Sequence, residues 1–297
     1  MHSVIQRLIA SGAVLTDGAW GTELQMLGLG AGEIGDAWNL EHPERVERVA
    51  RSYVEAGSQV ILTNTFRCNR IALAGAALVS RIAELNRAGV EISRRAAGNQ
   101  AHVFASMGPS GKLLVAEEVS PQDLREAFAE QAQALAAGGA DALLIETMSD
   151  LEEATIALQA ARKTGLPVVV SMVFDTGKKK DRTLTGITPE QAARELTESG
   201  ADVIGANCGQ DIDAFAAICK RMRSATDRPI WIKPNAGLPQ LVGDRVVYHV
   251  TPESFASHVP AILKAGANFI GGCCGTNPRF IAASAPLVQN PQRSLTI

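Results

Sequence analysis

The sequence predicts one α/β domain over residues 1–297, a single (β/α)8 TIM barrel in which each of eight parallel strands is followed by a helix. Eight short apolar runs recur along the chain, and helical patterns fill the segments between them. The length of 297 residues suits one barrel of roughly 250 residues better than two large domains. The apolar runs cover residues 13–19, 59–66, 102–109, 142–148, 167–174, 202–209, 229–237 and 268–276.

The apolar runs are nearly continuous, which is typical of strands that are buried on both faces of a parallel sheet. An open, doubly wound sheet is the alternative, and it favours a glycine-rich phosphate loop after the first strand. Here that position reads DGAWGTEL, with two glycines and an acidic residue, Asp17, at the strand tip. Because a carboxylate there disfavours a phosphate, the barrel is the better prediction.

The helices between the strands have marked start and end signals. Four helices begin with a capping residue followed by proline. The capping side chain accepts a hydrogen bond from an unpaired backbone amide, and the fixed φ of proline suits the first turn of a helix. The capping residues are Ser120, Thr188, Thr251 and Asn277. Thr188 with Gln191 also matches a capping box. Several helices end in a glycine, which takes the left-handed conformation that releases the chain, as at Gly139, Gly200 and Gly266.

Composition excludes several classes of protein. With 46% hydrophobic and 20% charged residues the chain is not intrinsically disordered, and its net charge of −3 disfavours a nucleic-acid partner. No apolar run reaches the roughly 18 residues that span a bilayer, and the N-terminus lacks the layout of a signal peptide. We therefore expect a cytoplasmic protein without a membrane partner. In a reducing compartment, an odd number of cysteines (five) favours metal binding or core positions over disulfides.

Polar and thiol side chains gather where the predicted strands end, on the face where barrels build their active sites. Strand by strand, these residues are Asp17, Asn64, Thr65, Phe66, Ser106, Glu146, Thr147, Asn207, Cys208, Lys233, Asn235, Cys273 and Cys274. For any one of them, a polar residue that solvates a loop is the simpler interpretation. Lys233 fits either a Schiff-base lysine or the partner of a nearby carboxylate, and the three lysines at 178–180 fit a solvated loop or a cover over the mouth.

Three cysteines give the sharpest signal. Cys208 ends the sixth predicted strand, and Cys273 and Cys274 end the eighth. Strands six and eight flank strand seven and share side-chain parity, so their tips converge, and the glycines around Cys273 and Cys274 let both thiols face one point. Three thiolates with an open fourth position predict a zinc site that exchanges one ligand. Three buried, inert cysteines are the alternative; Cys219 fits the core, and Cys68 is assigned no role.

Five segments together resemble the zinc-dependent homocysteine S-methyltransferases. They read DGAWGTEL, TNTF, LLIETM, GANCG and GGCCGTNP, and the similarity runs from about residue 14 to residue 278. The family includes the betaine–homocysteine enzymes and the N-terminal module of cobalamin-dependent methionine synthase. The resemblance implies a (β/α)8 barrel that moves a methyl group to the thiol of homocysteine and so gives methionine.

The resemblance also implies roles for single residues. Cys208, Cys273 and Cys274 match the zinc thiolates, and Asn235 matches an oxygen ligand that leaves when the substrate thiol arrives. Asp17 and Glu146 match the carboxylates that hold the substrate ammonium, and backbone amides at residues 18–21 with Ser106 are expected to hold its carboxylate. The full set of expected substrate-binding residues is Asp17, Gly18, Thr65, Ser106, Glu146 and Asn207.

The methyl donor is expected to be a free small molecule or a separate protein, since this sequence holds one barrel and no folate or cobalamin domain. A betaine-like or sulfonium donor is favoured because thiolates and carboxylates make the mouth negative, and a cation binds well over aromatic faces. The candidate donor-binding residues are Trp20, Trp38, Phe66 and Tyr248. A methyl-corrinoid protein as donor or acceptor and a non-catalytic zinc- or thiol-binding barrel are the alternatives, and the oligomeric state, a homo-oligomer included, is left open.

Overall fold

The computed structural model describes residues 2–209, 211–242 and 245–289. Eight parallel strands form its centre, and they pair in the order β1-β10-β7-β6-β5-β4-β3-β2. A parallel bridge between Thr16, just after β1, and Val60 of β2 closes the ring. The strands are β1 (Val14–Leu15), β2 (Val60–Ile61), β3 (His102–Met107), β4 (Ala142–Met148), β5 (Val168–Met172), β6 (Val203–Asn207), β7 (Ile230–Lys233) and β10 (Phe269–Ile270). The predicted (β/α)8 barrel is confirmed.

Helices surround the barrel and alternate with its strands. They are α1 (Ser3–Ile9), α2 (Trp20–Met26), α3 (Trp38–Glu41), α4 (Pro43–Glu55), α5 (Ile82–Ala97), α6 (Pro121–Ala137), α7 (Leu151–Arg162), α8 (Pro189–Glu198), α9 (Ile212–Arg223), α10 (Pro252–Lys264) and α11 (Pro278–Gln289). Ser120 and Thr188 form capping boxes at α6 and α8. Thr251 caps α10, and the Asn277 side chain accepts a hydrogen bond from the amide of Arg279. The predicted start signals are therefore confirmed.

Two features differ from the sequence expectation. β1, β2 and β10 have only two residues each, and between β1 and β2 polar side chains take over part of the ladder. The Gln59 side chain accepts the Leu15 amide at 3.0 Å, and the Asp17 carboxylate accepts the Leu62 amide at 2.7 Å. The loop over 236–250, expected to be irregular, contains an antiparallel hairpin of β8 (Gln240–Val242) and β9 (Arg245–Val247).

The core has two layers. Inside the barrel, the rings of Phe104, Trp231 and Phe269 pack together with centroids 5.4–6.3 Å apart, and Ile5 of α1 joins this cluster. Outside, the strands bury their other faces against the helices. Because side chains fill the barrel interior, the room for chemistry lies above the strand tips.

Among the described residues, no helix combines the length and the apolar character that crossing a bilayer requires. The prediction of one domain over residues 1–297 includes residues 1, 210, 243–244 and 290–297, which lie outside the described residues, and it stays a prediction.

Candidate metal and substrate site

A cavity of about 380 Å³ opens at the carboxyl ends of the strands. Cysteine, acidic, basic and aromatic side chains from several loops meet on its wall. The residues that matter for chemistry are Gly18, Trp20, Asp36, Phe66, Arg67, Ser106, Glu146, Cys208, Lys233, Cys273 and Cys274. The cavity therefore gathers most of the residues that the sequence assigned to the site.

The three cysteines converge as predicted. Their sulfur atoms all lie within 4.8 Å of one another, and the Sγ atoms of Cys208 and Cys274 are 3.8 Å apart. Tetrahedral zinc with Zn–S bonds of about 2.3 Å separates its sulfur ligands by about 3.8 Å. The side chains present therefore fit a tetrahedral metal ion.

The backbone holds the cysteines in place. The amide of Cys208 donates to the carbonyl of Lys233 at 3.1 Å, and the amide of Cys273 donates to the carbonyl of Pro234 at 2.6 Å. Cys273 and Cys274 lie beyond the end of β10 at Ile270, so the alternation of a strand does not apply to them. The preceding Gly271 and Gly272 are required there, since a Cβ would clash with Thr16 and Thr276 respectively.

The negative charge of three neighbouring thiolates would be stabilised by a bound cation. At Cys208 a hydrogen bond with Cys273 favours the thiolate, but the hydrogen bond with Cys274 and burial outweigh it and raise the pKa to about 11. For Cys274, a hydrogen bond with Cys208 likewise favours the thiolate, whereas Cys273 and burial raise the pKa to about 12. Three thiolates this close and this buried are stable together only beside a positive ion.

Asn235 lies in the segment that contacts two of the cysteines. Its neighbours Pro234 and Ala236 are hydrogen-bonded to the backbones of Cys273 and Cys274. The Asn235 side chain is 4% exposed, and its Oδ1 atom has no hydrogen-bond partner. A buried amide oxygen without a partner is rare, and it suits the expected role of a displaceable metal ligand.

Glu146 presents a carboxylate to the cavity from the end of β4. It is 7% exposed, and its Oε1 atom accepts a hydrogen bond from the Ser106 hydroxyl at 2.5 Å. Burial raises the pKa of Glu146, whereas the charge of Lys233 and the Ser106 hydrogen bond oppose that rise. A carboxylate of this kind is well suited to pair with a substrate ammonium.

Asp17 is fully buried and lies behind the cavity wall. Its Oδ1 atom accepts from Lys233 Nζ at 2.5 Å, and its Oδ2 atom accepts from Trp20 Nε1 and the Leu62 amide, both at 2.7 Å. These partners engage both oxygens of the carboxylate, and its contact with substrate stays a prediction. Burial disfavours the Lys233 ammonium, but Asp17 and Glu146 outweigh it and raise the lysine pKa. Lys233 is thus an ion-pair partner and not a free amine.

Thr65 and Asn207 also lie behind the wall, and both are fully buried. The Thr65 hydroxyl donates to the carbonyl of Ser106 at 2.7 Å, and the Asn207 amide bonds Thr147 and Cys273. Their polar atoms bond other protein groups, and their expected substrate contacts stay predictions.

The aromatic residues expected to bind a donor divide into two groups. Trp20 and Phe66 line the cavity, and the Tyr248 ring packs over Gly275 beside Cys274, so closely that a Cβ on Gly275 would clash. Trp38, by contrast, is 3% exposed, with His42 against its ring and the Arg45 guanidinium 5.0 Å above it. Trp38 does not line this cavity, so the structure does not bring it to the wall with Trp20 and Phe66, and its donor role stays a prediction.

Sequence reasoning missed two charged residues on the cavity wall, Asp36 and Arg67. Asp36 is 5% exposed, and burial raises its pKa to about 6 although the Arg67 amide donates to it at 3.2 Å. Both residues belong to the loops after β1 and β2. The available signal was their nearness to the strand tips, where Arg67 directly follows Phe66.

Comparison with known proteins gives concordant matches. A family model described as homocysteine S-methyltransferase matches residues 14–288. Methionine synthases of Mycobacterium tuberculosis (strain ATCC 25618 / H37Rv) and Mycobacterium leprae (strain TN) are 29% and 30% identical over 97% and 94% of this chain. The chain spans only 26% and 24% of their lengths. The metallated homocysteine methyltransferase MmuM from Escherichia coli shares the fold, with a TM-score of 0.80 and 23% identity over 95% of this chain and 99% of that one.

Proposed function

The chain belongs to the homocysteine S-methyltransferase family, and from this premise we propose that it transfers a methyl group from a small methyl-onium compound to homocysteine, giving methionine. The observation that carries the proposal is the convergence of three cysteine sulfurs within 4.8 Å of one another in a cavity that also presents Glu146. The sulfurs suit a metal that binds the substrate thiol, and the carboxylate suits the amino group of the same molecule.

Cys208, Cys273 and Cys274 would hold zinc, with the Asn235 oxygen as the ligand that leaves. Zinc, when bound, supplies a positive charge that keeps a substrate thiol deprotonated at neutral pH, where a free thiol with a pKa of about 8.5 is mostly protonated. The net charge of three thiolates and one divalent ion is negative, so the sulfur of homocysteine stays electron-rich.

Glu146 pairs with the ammonium of homocysteine, and Ser106 holds the Glu146 carboxylate in place. The backbone of residues 18–21 lines the same cavity and is the proposed partner of the substrate carboxylate. With both ends of the amino acid fixed, its sulfur is held at the cysteine cluster, which lowers the entropy cost of the reaction.

Methyl transfer then forms a carbon–sulfur bond and breaks the bond between the methyl carbon and the onium nitrogen or sulfur. The electron pair of the broken bond stays on the leaving group, which departs as a neutral amine or thioether, and no base at the methyl group is needed. At this end of the cavity, the aromatic faces of Trp20 and Phe66 and the negative charge of the Asp36 carboxylate attract a cation.

A methylated corrinoid protein is the second candidate donor. The resemblance to methionine synthases favours it, since the rest of those much longer proteins lies outside this match. A non-catalytic zinc-binding barrel is the third possibility, and a buried Glu146 on the cavity wall argues against it. All five cysteines are free, which suits our proposal of a cytoplasmic enzyme.

The test measures methionine formation from homocysteine by the zinc-loaded protein with betaine, S-methylmethionine, methylcobalamin or a methylated corrinoid protein as donor. We expect turnover with at least one free onium compound. Turnover with a corrinoid donor alone would contradict the onium proposal, and no methionine with any donor would contradict the enzymatic one.

A further inference from the structure

The side chain of Asn207 joins two parts of the site by hydrogen bonds. It leaves the last residue of β6 and is fully buried. Its Oδ1 atom accepts from the Thr147 amide at 2.9 Å and from the Ser171 hydroxyl at 2.6 Å. Its Nδ2 atom donates to the Thr147 hydroxyl at 2.8 Å and to the Cys273 sulfur at 3.7 Å. All four hydrogen-bonding positions of the amide are therefore used.

The orientation of the amide follows from its partners. The backbone N–H of Thr147 can only donate, so the atom facing it must be the oxygen of Asn207. The nitrogen therefore points toward the Thr147 hydroxyl and the Cys273 sulfur, both of which can accept. An N–H group aimed at a buried sulfur stabilises that sulfur as a thiolate.

Thr147 stands at an irregular point of the barrel. The pairing of β4 with β5 shifts between Ile145 and Met148, and Thr147 has a φ of 62°, in the left-handed region. Such a bulge redirects the neighbouring side chain, and here that neighbour is Glu146. A threonine in this conformation is strained, so its backbone needs outside support, and the two Asn207 bonds supply it.

We propose that Asn207 is a positioning residue that couples the metal cluster to the ammonium site, holding the Cys273 sulfur with one N–H while its other bonds fix the bulge that carries Glu146. The distance between the bound sulfur and the bound ammonium of the substrate then depends on this one amide. The inference rests on the proposed function in naming homocysteine as the ligand and zinc as the ion at the cysteine cluster.

The test replaces Asn207 by aspartate, which keeps the shape and the acceptor but removes both N–H donors. We expect the zinc dissociation constant, measured by competition with a chelator, to rise about 10- to 100-fold, the usual effect of losing a partner of a metal ligand. In the cobalt-loaded protein we expect a shifted sulfur-to-cobalt absorption band and a weaker response of that band to homocysteine. Neither readout requires methyl transfer.

The matched control is Asn86→Asp. Asn86 is also fully buried, and its Nδ2 atom donates to the carbonyls of Cys68 and Ile82, away from the cavity. We expect this variant to lose stability while it keeps the wild-type zinc affinity and cobalt spectrum. An equal effect of both substitutions on zinc affinity would mean that Asn207 acts only through general stability, which would overturn the proposal.

Other outcomes are equally decisive. If Asn207→Asp has the same zinc affinity and the same cobalt spectrum as the wild type, the proposal is overturned. If its cobalt spectrum changes but its homocysteine affinity does not, the coupling between the two parts of the site is overturned. If Asn207→Asp does not fold, Ser171→Ala is used instead, because it removes only the hydrogen bond from the Ser171 hydroxyl to Asn207 Oδ1. We expect this variant to bind zinc severalfold more weakly than the wild type. If the wild-type protein binds zinc and homocysteine but uses no onium donor, the proposed donor is refuted. The result for Asn207 stays valid in that case.

Discussion

The two ends of the cavity are built differently. At the cysteine end, Cys208 directly follows β6, Cys273 and Cys274 follow β10 after two glycines, and backbone hydrogen bonds tie all three to residues 233–236. At the other end, Trp20, Asp36, Phe66 and Arg67 come from the loops after β1 and β2. Side chains at strand tips inherit their positions from the barrel ladder, whereas loop side chains depend on local packing. The positions of the cysteines were therefore predictable from the strand order, whereas those of the loop side chains were not.

The largest expected effect comes from breaking the cysteine end. The double substitution Cys208→Ala, Cys273→Ala should remove bound zinc and abolish activity, since one thiolate cannot retain the ion. The barrel should stay folded, because its core comes from the strands and not from the rim. Metal analysis and circular dichroism measure the two outcomes, with Cys219→Ala, in the buried face of α9, as control. Full zinc retention in the double variant would refute the ligand assignment.

The next effect concerns the carboxylate between the two ends. Glu146→Gln should weaken homocysteine binding at least tenfold with zinc still bound, because losing one partner of a buried charge pair costs about 2–5 kcal/mol. The control is Glu153→Gln, which changes a buried carboxylate that accepts the Ser110 amide at 2.7 Å. Unchanged homocysteine affinity in Glu146→Gln would make Glu146 a structural residue, and equal losses in both variants would point to stability.

The smallest expected effect belongs to the loop-built end. The Asp36 pKa is raised to about 6, so its carboxyl is charged at pH 7 and becomes neutral as the pH falls toward 5. A cationic donor should then bind less well, and its KM should rise severalfold over that range. Asp36→Asn should raise the donor KM at pH 7 and flatten its pH dependence, with homocysteine affinity nearly unchanged. Identical pH profiles for the two proteins would exclude Asp36 from donor binding.

The fold was largely predictable because nearly continuous apolar runs have few arrangements other than buried parallel strands. The short lengths of β1 and β2 were not predictable, since the side chains of Gln59 and Asp17 replace ladder bonds between these two neighbouring strands. Such contacts leave no periodic signal in the sequence.

The site shows the same division. The convergence of Cys208, Cys273 and Cys274 follows from strand order alone and is confirmed. Whether a polar side chain at a strand tip faces the cavity or a neighbouring group depends on its hydrogen-bond partners, so the sequence could not show that Asp17, Thr65 and Asn207 lie behind the wall. The packing of Trp38 against His42 and Arg45 was not predictable either, because the helix breaks at His42 between α3 and α4 and no single helical period relates the three residues.

The backbone at Cys208 has a consequence for how such a barrel changes over evolutionary time. Its φ of 60° is a conformation that costs an ordinary side chain about 1–2 kcal/mol, and that glycine, and to a lesser degree asparagine, adopts more readily. A copy of this protein released from selection for metal chemistry would gain stability by replacing this cysteine with glycine. Under the proposed function, the cysteine at this position lowers folding stability in exchange for metal binding.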